Sequence, residues 1–250
     1  MYIERWLKAP AQKQDGSQEE RTKGSPQGAV VSPLLANLFL HYAFDLWMRR
    51  NYPDIPFERY ADDVIIHATS QAQAEQVLEA VRLKECHLEL HPVKTKIVYC
   101  QDSDRKGQHE HIQFDFLSYT FRPRRAKNRW GKFFVSFLPA ISHKAALAIQ
   151  ETIRNWRLAA TRNNQSLEDL ARLVNPSVRG WVNYYGRFYR SALTPVLRHL
   201  ERALIRWACR KYKRLRRHYL NAAHWLGRVA RRTPQLFVVW QLGIRPATGS

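Results

Sequence analysis

An α+β arrangement is expected from three features of the 250-residue chain. Short β-branched and aromatic runs are confined to its first part, helical apolar spacing takes over near residue 140, and the charge balance changes sharply between the two. Residues 1–140 should hold a small antiparallel sheet with two helices, and residues 141–250 an all-α bundle. A hydrophobic share of 45% and an aromatic share of 12% suffice for packed cores and exclude a disordered chain.

Residues 1–9 read as the end of a helix, and Ala11 to Thr22 as a polar loop with Asp15 inside it and no strand around it. Lys23-Gly-Ser-Pro-Gln-Gly28 is a glycine-punctuated turn. Ser32 can cap the helix that follows and Pro33 suits its first position. Leu35, Leu38, Phe39, Tyr42 and Trp47 carry that helix to about Arg50, where Pro53 and Pro56 bar its continuation. Phe57 to His67 reads as strand, tight turn, strand, with β-branched and aromatic residues flanking two poor strand formers.

Gln71 to about Glu85 has helical spacing, and Leu88, Leu90 and Ile97-Val98-Tyr99 suggest short strands. Phe114 to Phe121 is expected as one strand, with Phe133–Leu138 as its hairpin partner; Arg122 to Arg129 is too basic and broken to be core. Helices are expected at about 142–160, 166–173, 177–190, 192–220 and 221–232.

The charge distribution constrains the partner. Residues 1–120 hold 14 Lys/Arg against 17 Asp/Glu, whereas residues 121–250 hold 27 against 4. Self-repulsion of that size does not help a domain to fold, so a polyanion such as nucleic acid is the expected partner. No run of about 18 apolar residues marks a membrane span. Met1 to Lys8 lacks a signal-peptide core. Cys86, Cys100 and Cys209 are isolated, which fits a reducing cytoplasmic compartment and neither a disulfide framework nor a zinc knuckle.

Two motifs carry chemistry. Asp62 and Asp63 stand together at a hairpin tip, where a divalent cation relieves their repulsion; Mg²⁺ takes such oxygen ligands and keeps positions open for phosphates. In the Gly24–Gly28 turn, glycine allows close approach to a flat base or phosphate, and Gln27 places an amide at the helix entrance. A downstream helix sets Arg198, Arg202, Arg206 and Arg210 every four residues beside an apolar stripe of Leu193, Val196, Leu197, Leu200, Leu204, Trp207 and Ala208. Lys211, Lys213, Arg214 and Arg217 extend that charge, and residues 187–232 contain 14 Lys/Arg with one acid, Glu201. These cations read as phosphate ligands. Trp181 and Tyr185 read as core, leaving Arg179 and Asn183 for polar contact.

Gly24-Ser-Pro-Gln-Gly28 with Ser32-Pro-Leu-Leu-Ala-Asn37, followed by Tyr60-Ala-Asp-Asp63, resembles the palm of a reverse transcriptase. Asn175-Pro-Ser-Val-Arg-Gly-Trp-Val-Asn-Tyr-Tyr185 resembles the maturase-specific, thumb-like region of group II intron-encoded proteins. The resemblance runs from about Met1 to Gly243. It implies that Asp62 and Asp63 are catalytic, Mg²⁺-binding acids. Gln27 and Gly28 would lie against nucleotide and template, Lys94 near the nucleotide phosphates, and Phe116 to Phe121 under the primer end. The implied partners are structured intron RNA, an RNA template, a DNA primer and dNTP, in a bacterial or organellar compartment.

The family carries a further catalytic Asp on an earlier palm strand, preceded by fingers. Only 23 residues precede Gly24, with Asp15 as their one Asp, while Asp45 and Asp115 sit in elements of the wrong kind. The expectation is therefore weak or absent polymerisation by this chain alone. It would act as a truncated protein, one half of a split reverse transcriptase with a missing amino-terminal partner, or a non-catalytic RNA-binding remnant. A retron-like defence role is disfavoured by the 175–185 block. The family's optional nuclease domain is not expected after Gly243.

Overall fold

The computed structural model describes residues 2–12, 15–19, 30–81 and 89–248, and the chain divides into two compact units, 1–97 and 98–250. Both are mixed or helical assemblies with small antiparallel sheets, the α+β class expected.

In the first unit, α1 (Tyr2–Lys8) precedes a two-stranded ribbon, β1 (Ala11–Gln12) and β2 (Gln18–Glu19). The expected loop without strands is thus a minimal hairpin around Asp15, whose Oδ1 accepts from the Ser17 backbone N–H and hydroxyl. The helix beginning at Ser32 comprises α2 (Ser32–Leu40), a π turn over His41–Asp45, and α3 (Leu46–Asn51). Its N-cap is Val31, one residue before the expected Ser32. Of the apolar residues along the expected helix, Leu38, Phe39 and Tyr42 are exposed and Trp47 packs beside the core, which Phe44 and Met48 enter with Ile55, Val77 and Val81. The π turn inserts an extra residue and so rotates the buried face.

β3 (Phe57–Tyr60) and β4 (Asp63–Ile66) form the expected hairpin, and α4 (Gln71–Ala80) is capped by Ser70, whose hydroxyl accepts from the Gln73 N–H. Residues 89–99 contain no strand; Leu88 lies outside the described residues. Instead, the Tyr99 N–H donates to the His111 carbonyl and the Tyr99 ring stacks on His109.

In the second unit, β5 (Phe114–Phe116), β6 (Tyr119–Lys127) and β7 (Phe133–Ile141) form one antiparallel sheet in sequential order. Phe114–Phe121 is therefore two strands, because Leu117 and Ser118 both take positive φ (48° and 65°) and reverse the chain. Two positive φ values at adjacent positions make a turn whose twist matches a two-residue hairpin. The basic 122–127 segment extends β6, with its side chains alternating across the ribbon.

The bundle comprises α5 (His143–Asn155), α6 (Leu158–Thr161), α7 (Leu167–Tyr185), α8 (Thr194–Lys211), α9 (Tyr219–Arg232) and α10 (Val238–Gln241). The two helices expected at 166–173 and 177–190 are a single α7 that passes through Pro176. Its start is fixed by a capping box between Ser166 and Asp169. The expected 192–220 helix ends at Lys211, before a 3₁₀ turn at Lys213–Leu215.

α8 is the axle. Val196, Leu197, Leu200, Leu204, Ile205, Trp207 and Ala208 are buried, and the helix packs on α5, α6 and α9. Each such Leu contributes about 1.5–3 kcal/mol by burial. Ile141, at the end of β7, joins the same core. The strand-to-helix change near residue 140 and the break in compactness at 97/98 are thus different boundaries.

Candidate nucleic-acid interface and acidic hairpin

Tyr60 pairs with Asp63 across the β3–β4 hairpin, leaving Ala61 and Asp62 as the two turn residues. Ala61 takes φ 54°, a left-handed conformation that costs an L residue about 1–2 kcal/mol. Arg59 holds the turn. Its Nη1 donates to the Ala61 carbonyl and to Asn37 Oδ1 (2.9 Å each), while Nε and Nη2 form a bidentate pair with Asp45 (2.7 Å each). Asp45 reaches that fork from the π turn. The Arg59 hydrogen bonds hold its carboxyl below the ordinary range, against the opposing effect of burial. Asp45 is thus committed to the scaffold and separate from the exposed pair.

Asp62 and Asp63 are exposed, and neither carboxylate has a hydrogen-bond or ion-pair partner among the described residues. Free carboxylate oxygens on one tight turn suit Mg²⁺, though two of them fill only part of an octahedral shell. Among the described residues no cluster of three or more His, Cys, Asp or Glu has metal-site geometry. Asp115 accepts from the Thr120 hydroxyl across the β5–β6 turn. Lys94 is exposed on a turn where His91 Nδ1 accepts from the Val93 and Lys94 backbone N–H groups. Gln27 and Gly28 lie outside the described residues.

The basic surface belongs to α8 and its surroundings. Arg198, Arg202 and Arg206 are exposed, with no acidic side chain in ion-pair contact among the described residues. Glu201, the one acid nearby, is half-buried; burial pushes its carboxyl up, against Arg198 and Arg202. His199 is pushed below the ordinary imidazole value, first by burial, then by Arg202, Arg154 and Arg206. Its depression registers a field shared by α8 and Arg154 of α5.

Arg210 is exposed but donates to the Ala159 carbonyl at 3.4 Å. Lys211 is half-buried, donating to the Gln165 carbonyl and lying 5.2 Å from the Trp207 ring centre. Lys213, Arg214 and Arg217 are exposed around the following 3₁₀ turn.

Arg179 and Asn183 are exposed on α7, whereas Trp181 and Tyr185 pack on the core, Trp181 stacking on Trp156. The other tyrosines have structural work that spacing alone did not reveal. Tyr184 donates to the Leu117 carbonyl at 2.8 Å, Tyr119 donates back to the Tyr184 carbonyl, and Tyr189 donates to the Arg125 carbonyl at 3.0 Å. The Tyr119 and Tyr184 bonds bolt the sheet to α7, and the Tyr189 bond ties it to the segment after that helix. Asn175 also escaped sequence reading: its amide donates to the Leu236 carbonyl (2.9 Å) and accepts from the Val238 N–H (3.0 Å), joining α7 to α10.

An acidic hairpin in one unit and an arginine-faced helical bundle in the other together define a nucleic-acid-handling protein. Two family models match the chain. One, described as Reverse transcriptase (RNA-dependent DNA polymerase), covers residues 1–121, and the other, Group II intron, maturase-specific domain, covers residues 146–225. The chain belongs to the group II intron-encoded reverse transcriptase/maturase family. No curated protein sequence matches it.

Proposed function

We propose that this chain binds structured intron RNA through the exposed face of α8, with Arg179 and Asn183 of α7 adding contacts, and so assists folding of the intron for splicing. The observation that carries this reading is the row Arg198, Arg202 and Arg206, exposed and without acidic partners on a helix whose other face is fully buried. Guanidinium forks pair bidentately with phosphate, and the rise of about 6 Å over each four-residue step sets them out as a ladder. Arg210, Lys213, Arg214 and Arg217 extend the surface; Lys211 anchors α8 to the 162–166 loop.

In this reading residues 1–140 are palm-like and residues 141–250 thumb-like. Asp62 and Asp63 would hold Mg²⁺, which when bound neutralises phosphate charge during nucleotidyl transfer. The chain's own contribution is to position: Arg59 fixes the Asp62 turn, and the exposed tip leaves both carboxylates open to template, primer and dNTP. Gln27, Gly28 and Lys94 keep their nucleotide and template roles by resemblance alone. The second reading, RNA binding without catalysis, is favoured by the commitment of Asp45 to Arg59, which leaves two carboxylates at the tip.

Binding of labelled intron RNA across a salt series tests the first reading. Replacing Arg198, Arg202 and Arg206 by Gln should lower the log–log salt slope by about 2–3, since each phosphate contact contributes about 0.7–0.9. An unchanged slope refutes the surface. Primer extension on an RNA template separates the two readings: robust synthesis abolished by Asp62→Ala establishes catalysis, and its absence leaves RNA binding alone.

A further inference from the structure

Between Tyr119 and Ile141 the chain carries six Lys/Arg and no Asp or Glu. The β6–β7 register sets Lys127 opposite Phe133 and Arg125 opposite Val135, so these four share one face. On it the Arg125 guanidinium lies 3.8 Å from the Phe133 ring centre, and the Lys127 ammonium 5.6 Å. Arg124, on the other face, turns inward to the Leu138 and Thr120 carbonyls.

The tip is a built loop. Asn128 Oδ1 accepts from the Trp130 and Lys132 N–H groups, the Asn128 N–H donates to the Lys132 carbonyl, and Gly131 supplies the positive φ of 84°. This frame presents Trp130 with 74% of its surface exposed and the Arg129 guanidinium 4.0 Å from its ring centre. An indole held this far into water on an ordered turn contributes little hydrophobic burial to folding.

We propose that the β6–β7 hairpin is a second nucleic-acid contact, in which Trp130 stacks on an unpaired base while Arg125, Lys127, Arg129 and Lys132 hold the flanking phosphates. It rests on the nucleic-acid reading above but uses a different element from α8. Charge selects the partner: an uninterrupted set of cations around flat rings matches alternating phosphate and base. Pairing state follows too, because a base offers its whole face to an indole only when it is unstacked.

The test uses the full chain and fluorescence anisotropy with an unstructured strand of about 12 nucleotides, a length that covers a typical site. RNA, DNA of the same sequence and duplex RNA form the three arms. Trp130→Ala should weaken single-strand binding about tenfold, or about 1.4 kcal/mol, with the salt slope and duplex affinity unchanged, and Trp130→Phe should recover most of the loss. A loss confined to one single strand supports the hairpin and identifies that strand's sugar as the preferred source.

Unchanged single-strand affinity in Trp130→Ala overturns the hairpin proposal, and so does a Trp130→Ala defect seen only in association with a protein. If the three α8 replacements still weaken binding in that case, the α8 reading stands. A chain that binds none of the three nucleic acids, nor intron RNA, overturns both.

Discussion

Ala61 spends backbone strain to turn the chain beside two carboxylates, and Arg59 supplies the restraint that keeps it there. Glycine takes φ 54° without a Cβ clash, so Ala61→Gly should stabilise the first unit by about 0.5–1 kcal/mol. Urea denaturation followed by circular dichroism checks this; destabilisation would mean that Ala61 is held by packing. The neighbouring Asp45 works in the opposite sense. Its carboxyl is depressed by Arg59, so the pair stabilises above the unfolded carboxylate value of about 3.9 and is lost as pH falls through the lower folded value. Tyr60-Ala-Asp-Asp63 was legible as a metal-binding candidate, whereas Arg59 looked like an ordinary strand residue. Its role depends on Asn37 and Asp45, 22 and 14 positions away.

Among the helices and strands, α7 shows why local rules gave an incomplete reading. Pro176 removes one donor and disfavours helix in the residue before it, which suggests a break. The helix continues because Leu170, Ala171, Val174 and Val178 bury one face across that point, and Asn175 spends its side chain on α10. Asn175→Ala would leave the Val238 N–H and the Leu236 carbonyl without that partner. A loss of about 2–4 kcal/mol is expected, since each stranded group costs about 1–3. Thermal unfolding of the full chain measures it, and a loss below about 0.5 kcal/mol would show that water replaces the amide. The β5–β6 turn was hidden for a related reason: Leu117 and Ser118 include no Gly, Asn or Asp, the residues that mark a turn with two positive φ values. Tyr184 and the Ser142 N–H grip their carbonyls from residues far along the chain.

Over the entire chain, electrostatics links the fold to the proposed RNA surface. Burial, and after it the field of Arg202, Arg154 and Arg206, depresses His199 below about 6.5. The unfolded chain therefore protonates first as pH falls, and this part of the stability is present above pH about 6.5 and declines toward the folded value. Phosphates on those guanidiniums would raise His199, so RNA binding should take up a proton. Affinity should rise as pH drops from about 8 to about 6, and His199→Gln should flatten that trend. A flat profile in the unsubstituted chain would move the RNA away from this cluster. Among the described residues no helix is long and apolar enough to cross a membrane.

The amino-acid order alone disclosed the strand-to-helix change near residue 140, the α8 stripe and its arginine row, and the acidic hairpin. Each is a local pattern, set by spacing of 2 or about 3.6 residues and by charge. It could not disclose which apolar face of α2–α3 is buried, that Asp45 serves Arg59, that α7 is unbroken, or that Lys211 is tied down while Arg198, Arg202 and Arg206 stay open. Those outcomes depend on partners from 14 to more than 60 positions away, and the energy that selects them exists only once packing has brought the partners together.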